Sequence, residues 1–195
     1  ASFDEYRAAF QRFVARIPRD GWLVACTDDV QAMDVAKAAT CPVIPYGIGQ
    51  PANPTMTLQL AGQHNIQNAL GAISAAMQCG VTQDNAVRAV ESFSGVKRRC
   101  EVVGERDGIT VIDDYGHHPT EIRATIAALR EKYPGRRLLV AFHAHTFTRT
   151  IALKEEFAKA FDGAANVFVM DIFGSAREQH GGITADELAH MISAN

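Results

Sequence analysis

The sequence predicts a two-part α/β chain, and three observations predict it. Short apolar runs that read as strands alternate with segments of helical period. The character then changes at Ser94–Lys97, from alanine-rich and helical to short and β-like, which divides the chain into 1–94 and 95–195. Finally, 47% of the 195 residues are hydrophobic and 21% are charged, a balance that supports a packed core rather than a disordered chain.

The elements follow in order. FDEYRAAFQRFVARI (3–17) carries Phe3, Tyr6, Phe10, Phe13, Val14 and Ile17 at helical spacing and stops at Pro18. WLVAC (22–26) reads as a strand ending in Thr27-Asp28-Asp29, followed by a helix in VQAMDVAKAA and a second strand in CPVIPYG. TMTLQLAG (55–62) alternates apolar and polar residues, so a half-buried strand is expected there. NIQNALGAISAAMQC (65–79) has a broad apolar helical face and Gly80 as its stop, and a further helix is expected over about 83–93.

In the second part EVVGER and GITVIDD flank Asp107-Gly108, a hairpin turn signal. PTEIRATIAALREKY is a helix opened by Pro119 with Glu121 in its first turn. RRLLVAFHA, RTIALKEEFAKAF, NVFVMDIF and TADELAHMI then alternate strand, helix, strand, helix, as in a parallel doubly wound sheet.

Composition excludes several roles. The formal net charge is -3, and basic residues cluster only at Lys97-Arg98-Arg99 and Arg136-Arg137, so no nucleic-acid footprint is visible. Cys26, Cys41, Cys79 and Cys100 form no C-x-x-C pair and follow no signal peptide, which fits reduced thiols in a cytoplasmic protein. No apolar run approaches the roughly eighteen residues of a membrane helix. The chain opens on Ala-Ser-Phe rather than Met, and a piece of a longer protein is expected.

In a parallel α/β sheet, ligands gather at the carboxyl ends of the strands. Three polar clusters fall at such ends: Asp113 to His118, His143 to Arg149, and Asp171 to Glu178. Metal binding by His117, His118, His143 and His145 is one reading, although their spacing matches no closed zinc pattern. A solvated polar turn is another. A third is an anionic ligand, because Arg99 and Arg149 are suited to carboxylate or phosphate. In GQHNIQN (62–68), His64, Asn65 and Asn68 open an apolar helix; N-capping by Asn65 and ligand contact are both open.

GQHNIQNALGAISAA, FSGVKRR, IDDYGHHPTE and FTRT, in that order, resemble the Mur ligases over essentially the whole chain. The DDYGHHPTE run resembles the L-alanine-adding kind. The resemblance implies a partial central ATPase-type α/β domain over 1–94 and a Rossmann-like C-terminal domain, incomplete, over 95–195. It implies ATP-dependent ligation of L-alanine to UDP-N-acetylmuramate through an acyl phosphate, in cytoplasmic peptidoglycan synthesis. His64, Asn65, Asn68, Arg99 and Asp114 would bind nucleotide. Tyr115, His117 and Arg149 would serve the reacting amino acid and acyl phosphate.

The phosphate loop G-x-x-x-x-G-K-[ST] is absent from these residues, so the main ATP phosphate and Mg2+ ligands are expected in a missing N-terminal portion, and the piece alone is expected to be inactive. FHAHTFTRT departs from the family's Q-P-H-R-Y-like run at His143, Ala144, Thr146 and Phe147, which opens the alternative of a ligase for another amino acid or a peptide. A metal-dependent hydrolase built on His117, His118, His143 and His145 is the alternative from another class.

Overall fold

A computed structural model describes residues 2–176, 178 and 181–195. The chain forms two compact units, one ending at Ser94 and one beginning at Gly95.

In the first unit α1 (Phe3–Val14), β1 (Leu23–Cys26), α2 (Val30–Ala36), β2 (Val43–Tyr46), α3 (Gln63–Gln78) and α4 (Gln83–Ser92) follow one another. β1 and β2 are parallel, with Leu23 opposite Val43 and Cys26 opposite Tyr46, and α2 is the crossover. Asp29 caps α2 by accepting from the backbone N–H of Gln31 and Ala32. The core is built of small side chains, with Ala25, Ala69, Leu70, Ile73 and Ala86 all buried. Gly71 lets α3 lie against Tyr46, because a Cβ there would stand 2.9 Å from the ring. α3 ends as expected, with Gly80 at φ +87 and Val81 donating back to the Ala76 carbonyl.

One expectation for this unit needs correction, and a second holds only in part. Residues 55–62 form no strand: Thr57 donates its N–H to the Glu91 carboxylate and the Gln59 side chain donates to the Glu91 carbonyl, so α4, not a neighbouring strand, holds the segment. Alternation reports which side chains turn inward; it does not supply a ladder partner. The amphipathic helix expected over 3–17 is present as α1, but its aromatic side is not covered, for Phe3, Tyr6, Phe10 and Phe13 stay exposed and only Val14 is buried.

The second unit contains β3 (Glu101–Arg106), β4 (Ile109–Asp113), α5 (Pro119–Lys132), β5 (Leu139–His145), α6 (Phe147–Ala152), α7 (Lys154–Ala158), β6 (Asn166–Phe173) and α8 (Ala185–Ser193). β3 and β4 form the expected hairpin, with Asp107 and Gly108 both in the left-handed region (φ 50 and 76) that its two-residue turn demands. β5 and β6 are parallel. Their inner face, with Phe142 and Ala144, joins Ile122 and Ile126 of α5, Phe157 and Phe161, and Leu188 of α8 in one core. Phe157 and Leu188 are almost wholly enclosed; truncating either to Ala costs about 2–5 kcal/mol.

The architecture is mixed α/β, but the strands of the described residues pair two by two instead of sharing one doubly wound sheet. Strand-helix alternation fixes crossovers, not sheet width. The helix expected across RTIALKEEFAKAF is broken at Leu153 into α6 and α7, where the backbone leaves helical geometry (φ -118, ψ 19). No helix among the described residues is long and apolar enough to cross a membrane.

Candidate functional site

The loop between β4 and α5 holds itself together. Asp114 accepts from the N–H of Cys100 (2.9 Å) and Gly116 (2.8 Å) and from the Thr125 hydroxyl (3.2 Å). The Cys100 thiol also donates to it, at 3.7 Å, so all of the roughly four acceptor positions a carboxylate offers are engaged inside the protein. Burial and the adjacent Asp114 charge push the Cys100 thiol up to about 11, keeping it a neutral neighbour. Gly116 is required, since a Cβ there would stand 2.7 Å from the Asp114 carboxylate.

The helix start is equally closed. His118 caps α5 through Nδ1, which accepts from the Thr120 N–H, and Glu121 returns bonds to the N–H groups of His117 (3.0 Å) and His118 (3.2 Å). Partial burial pushes the Glu121 carboxyl up, but those N–H groups and the neighbouring His117 and Arg99 outweigh it and hold it below its ordinary range.

His117 Nδ1 lies 3.1 Å from the Tyr115 carbonyl and 3.5 Å from the Glu121 carboxylate. Both neighbours accept, so in the neutral ring Nδ1 carries the hydrogen and Nε2 keeps its lone pair. The Tyr115 ring lies edge-on to His117 at 5.4 Å, with the Arg98 guanidinium 4.7 Å and that of Arg99 5.9 Å from its centroid. Arg98 pairs with Asp113 (3.5 Å) and Arg99 with Glu121 (3.6 Å).

The end of β5 reaches the same edge. His145 is held below the ordinary histidine value by partial burial and by its neighbours His143, Arg149, His117 and Arg98, which oppose a further positive charge there. β6 advances three residues while β5 advances two between His143 and His145, and this bulge presents Phe173 to His145 at 5.1 Å. Thr146 (φ 71) turns the chain into α6, and Arg98 (φ 60) and Cys100 (φ 49) share this left-handed geometry. Such backbone costs of order 1–3 kcal/mol per residue and gathers where a site is over-determined. Arg149 follows in α6, half-buried, with no acidic partner among the described residues.

Glu178, from the loop after β6, accepts from the N–H groups of Phe147 and Thr148, the Thr148 hydroxyl and the Ser175 N–H. Loss of hydration raises its pKa, but these four donors outweigh it and bring it to about 2. The three predicted clusters thus meet at one edge, although Arg177 of the third lies outside the described residues. Sequence reading placed Glu121 in the first turn of α5 but not its bonds to the His117 and His118 N–H groups, and it overlooked Glu178 as an organiser.

His64, Asn65 and Asn68 belong to the first unit. Asn65 does not cap α3: Gly62 (φ 101) is the cap residue and Asn65 donates back to the Ala61 carbonyl at 2.7 Å. A cap must precede the helical turn, and α3 begins two residues earlier than expected, at Gln63. Gln67, also overlooked, donates to Asp28 (2.9 Å), whose carboxylate accepts from the Ile48 N–H as well. The Gln67 and Ile48 bonds, against a small desolvation cost, hold Asp28 below its usual value. Asn68 is exposed and its side chain has no hydrogen-bond partner among the described residues.

Among the described residues no three His, Cys, Asp or Glu side chains converge as a metal centre would require. Of the four histidines in the hydrolase alternative, His118 is spent as a helix cap: its Nδ1 accepts from the Thr120 N–H, which leaves the hydrogen of the neutral ring on Nε2.

Residues 98–195 match the family described as Mur ligase, glutamate ligase domain. A UDP-N-acetylmuramate–L-alanine ligase of Clostridium kluyveri is 35% identical, the match covering 97% of this chain and 46% of that protein. One of Acidithiobacillus ferrooxidans is 37% identical over 99% of this chain and 48% of its own. Among solved structures, a UDP-N-acetylmuramate-alanine ligase from Thermotoga maritima superposes with a TM-score of 0.73, at 22% identity, over 99% of this chain and 45% of its own. A murein peptide ligase from Psychrobacter arcticus gives 0.62 at 26% identity, over 84% of this chain and 40% of its own. The chain spans about half the length of the curated relatives it matches.

Proposed function

We propose a function for a chain that belongs to the Mur ligase family: it forms part of a cytoplasmic, ATP-dependent ligase that joins L-alanine to UDP-N-acetylmuramate. The observation that carries the reading is Arg149. Arg98 and Arg99 each face a carboxylate, whereas Arg149 has no acidic partner among the described residues and stands at the edge shared with Tyr115 and His117. A guanidinium so placed suits the carboxylate of an incoming amino acid.

The residues assign the remaining work. ATP, when bound, supplies the phosphoryl group that makes the muramoyl carboxylate an acyl phosphate. Arg149 holds the amino acid by its carboxylate, and His117 Nε2 takes a proton from the attacking amine. Tyr115 backs His117 while Arg98 and Arg99 keep the edge cationic. His64 and Asn68 in the first unit suit the base of a nucleotide; Arg99, in the second, suits a phosphate or carboxylate. Asp114, Asp113 and Glu121 are engaged with N–H groups or arginines, so they do not fit as Mg2+ ligands.

The test is ADP release by the full-length natural chain, dependent on both UDP-N-acetylmuramate and L-alanine. Release dependent on neither substrate would sink the reading. Thr146, where the family resemblance leads one to expect arginine, favours a second reading, a ligase for another amino acid or a peptide. A panel of amino acids and short peptides in the same assay separates the two.

A further inference from the structure

We propose that Glu178 is a positioning residue that fixes the first turn of α6 and thereby aims Arg149 at the carboxylate of the incoming amino acid. The inference rests on the role given to Arg149 above.

α6 has only six residues and starts without a side-chain cap of its own, directly after left-handed Thr146. A helix this short is not stable by itself, because nucleation costs more than its few backbone bonds return. Its geometry is imposed from outside. Glu178 accepts from Phe147 N–H and Thr148 N–H at 3.1 Å each and from Thr148 Oγ1 at 2.8 Å, and it binds its own loop through Ser175 N–H at 2.8 Å. One carboxylate thus joins the loop after β6 to the two residues immediately before Arg149. At the far side of the turn, Thr150 Oγ1 donates to the Thr146 carbonyl and completes the clamp.

Those four donors account for roughly all the acceptor positions of a carboxylate. Glu178 can therefore order α6 without offering Arg149 a free oxygen, which leaves the guanidinium for a ligand. Its depressed pKa keeps it ionised through any assay near neutrality.

The experiment is steady-state kinetics of the full-length chain with Glu178→Ala, Glu178→Gln, Arg149→Ala and the double variant Arg149→Ala/Glu178→Ala. Misplacing a binding group by about an ångström is expected to raise KM for L-alanine about tenfold in Glu178→Ala, with KM for ATP and UDP-N-acetylmuramate changed less than about twofold. Glu178→Gln keeps one acceptor oxygen and should fall between Glu178→Ala and the native chain. Because Glu178 acts through Arg149, the double variant should be no worse than Arg149→Ala alone.

Additive losses in the double variant overturn the proposal. So does an unchanged KM for L-alanine in both Glu178 variants when Arg149→Ala raises it. If Arg149→Ala itself leaves that KM unchanged, the role of Arg149 fails first, and the proposal with it. Should Glu178→Ala lose its native melting transition, Glu178→Gln alone carries the comparison.

Discussion

The segments 62–68 of the first unit and 111–121 of the second both lead into a helix, and they organise their polar side chains in opposite ways. In the first, neutral side chains donate outward to acceptors elsewhere: Asn65 to the Ala61 carbonyl and Gln67 to Asp28. In the second, the segment holds its own acceptors, and Asp114, His118 and Glu121 collect backbone N–H groups around them. Adjacent residues of one motif therefore have different jobs. Some build the loop, while under the proposed function His64, Asn68, Tyr115 and His117 are the ones that serve ligands.

If that division holds, the largest effect comes from breaking the second segment at its centre. Asp114→Ala leaves the Cys100 and Gly116 N–H groups and the Thr125 hydroxyl without their acceptor, which should destabilise by about 2–4 kcal/mol. Urea unfolding measures it, and a loss below about 0.5 kcal/mol would mean water replaces the carboxylate and the loop is not self-built.

The matching perturbation in the first unit is steric. Gly71→Ala places a methyl 2.9 Å from the Tyr46 ring, and such overpacking costs about 1–3 kcal/mol. Combining it with Tyr46→Phe does not relieve the clash if ring atoms rather than the hydroxyl set the contact. Gln67→Ala, which only removes a donor to Asp28, should cost about 1 kcal/mol.

Acid tests the same contrast. The Glu121 carboxyl sits below its ordinary value of 4.5 when folded, so it adds stability above that pH, and this is lost as pH falls through its lowered folded value. Glu121→Gln should flatten the melting temperature across that window, by less than the loss caused by Asp114→Ala. A profile identical to the native one would deny Glu121 its place in the capping box.

What the sequence made legible follows from range. Signals that act over a few residues read correctly: Asp107-Gly108 as a hairpin turn, Gly80 as a helix stop, and Pro119 with Glu121 as a helix start. What failed depended on distant partners. Residues 55–62 have the period of a strand yet lie against Glu91, and the α1 aromatics have the period of a buried face yet stay exposed. The site divides likewise: DDYGHHPTE marks its own loop, whereas Glu178 reaches α6 from thirty residues away. No local spacing encodes that bond.

The smallest expected effect on stability is the sharpest test of the division of labour. Asn68 is exposed and holds no partner among the described residues, so Asn68→Ala should change stability by less than about 0.5 kcal/mol. If Asn68 reads a nucleotide base, the same substitution in the full-length chain should weaken ATP binding about tenfold, the loss of roughly 1.4 kcal/mol of contact. Asn65→Ala gives the opposite pattern, because its amide already holds the Ala61 carbonyl: stability falls by about 1 kcal/mol, and ATP affinity falls only as far as α3 shifts. Calorimetry with ATP on the two variants separates them. Equal losses of affinity at unchanged stability would place both side chains on the ligand and dissolve the distinction between builder and reader in the first unit.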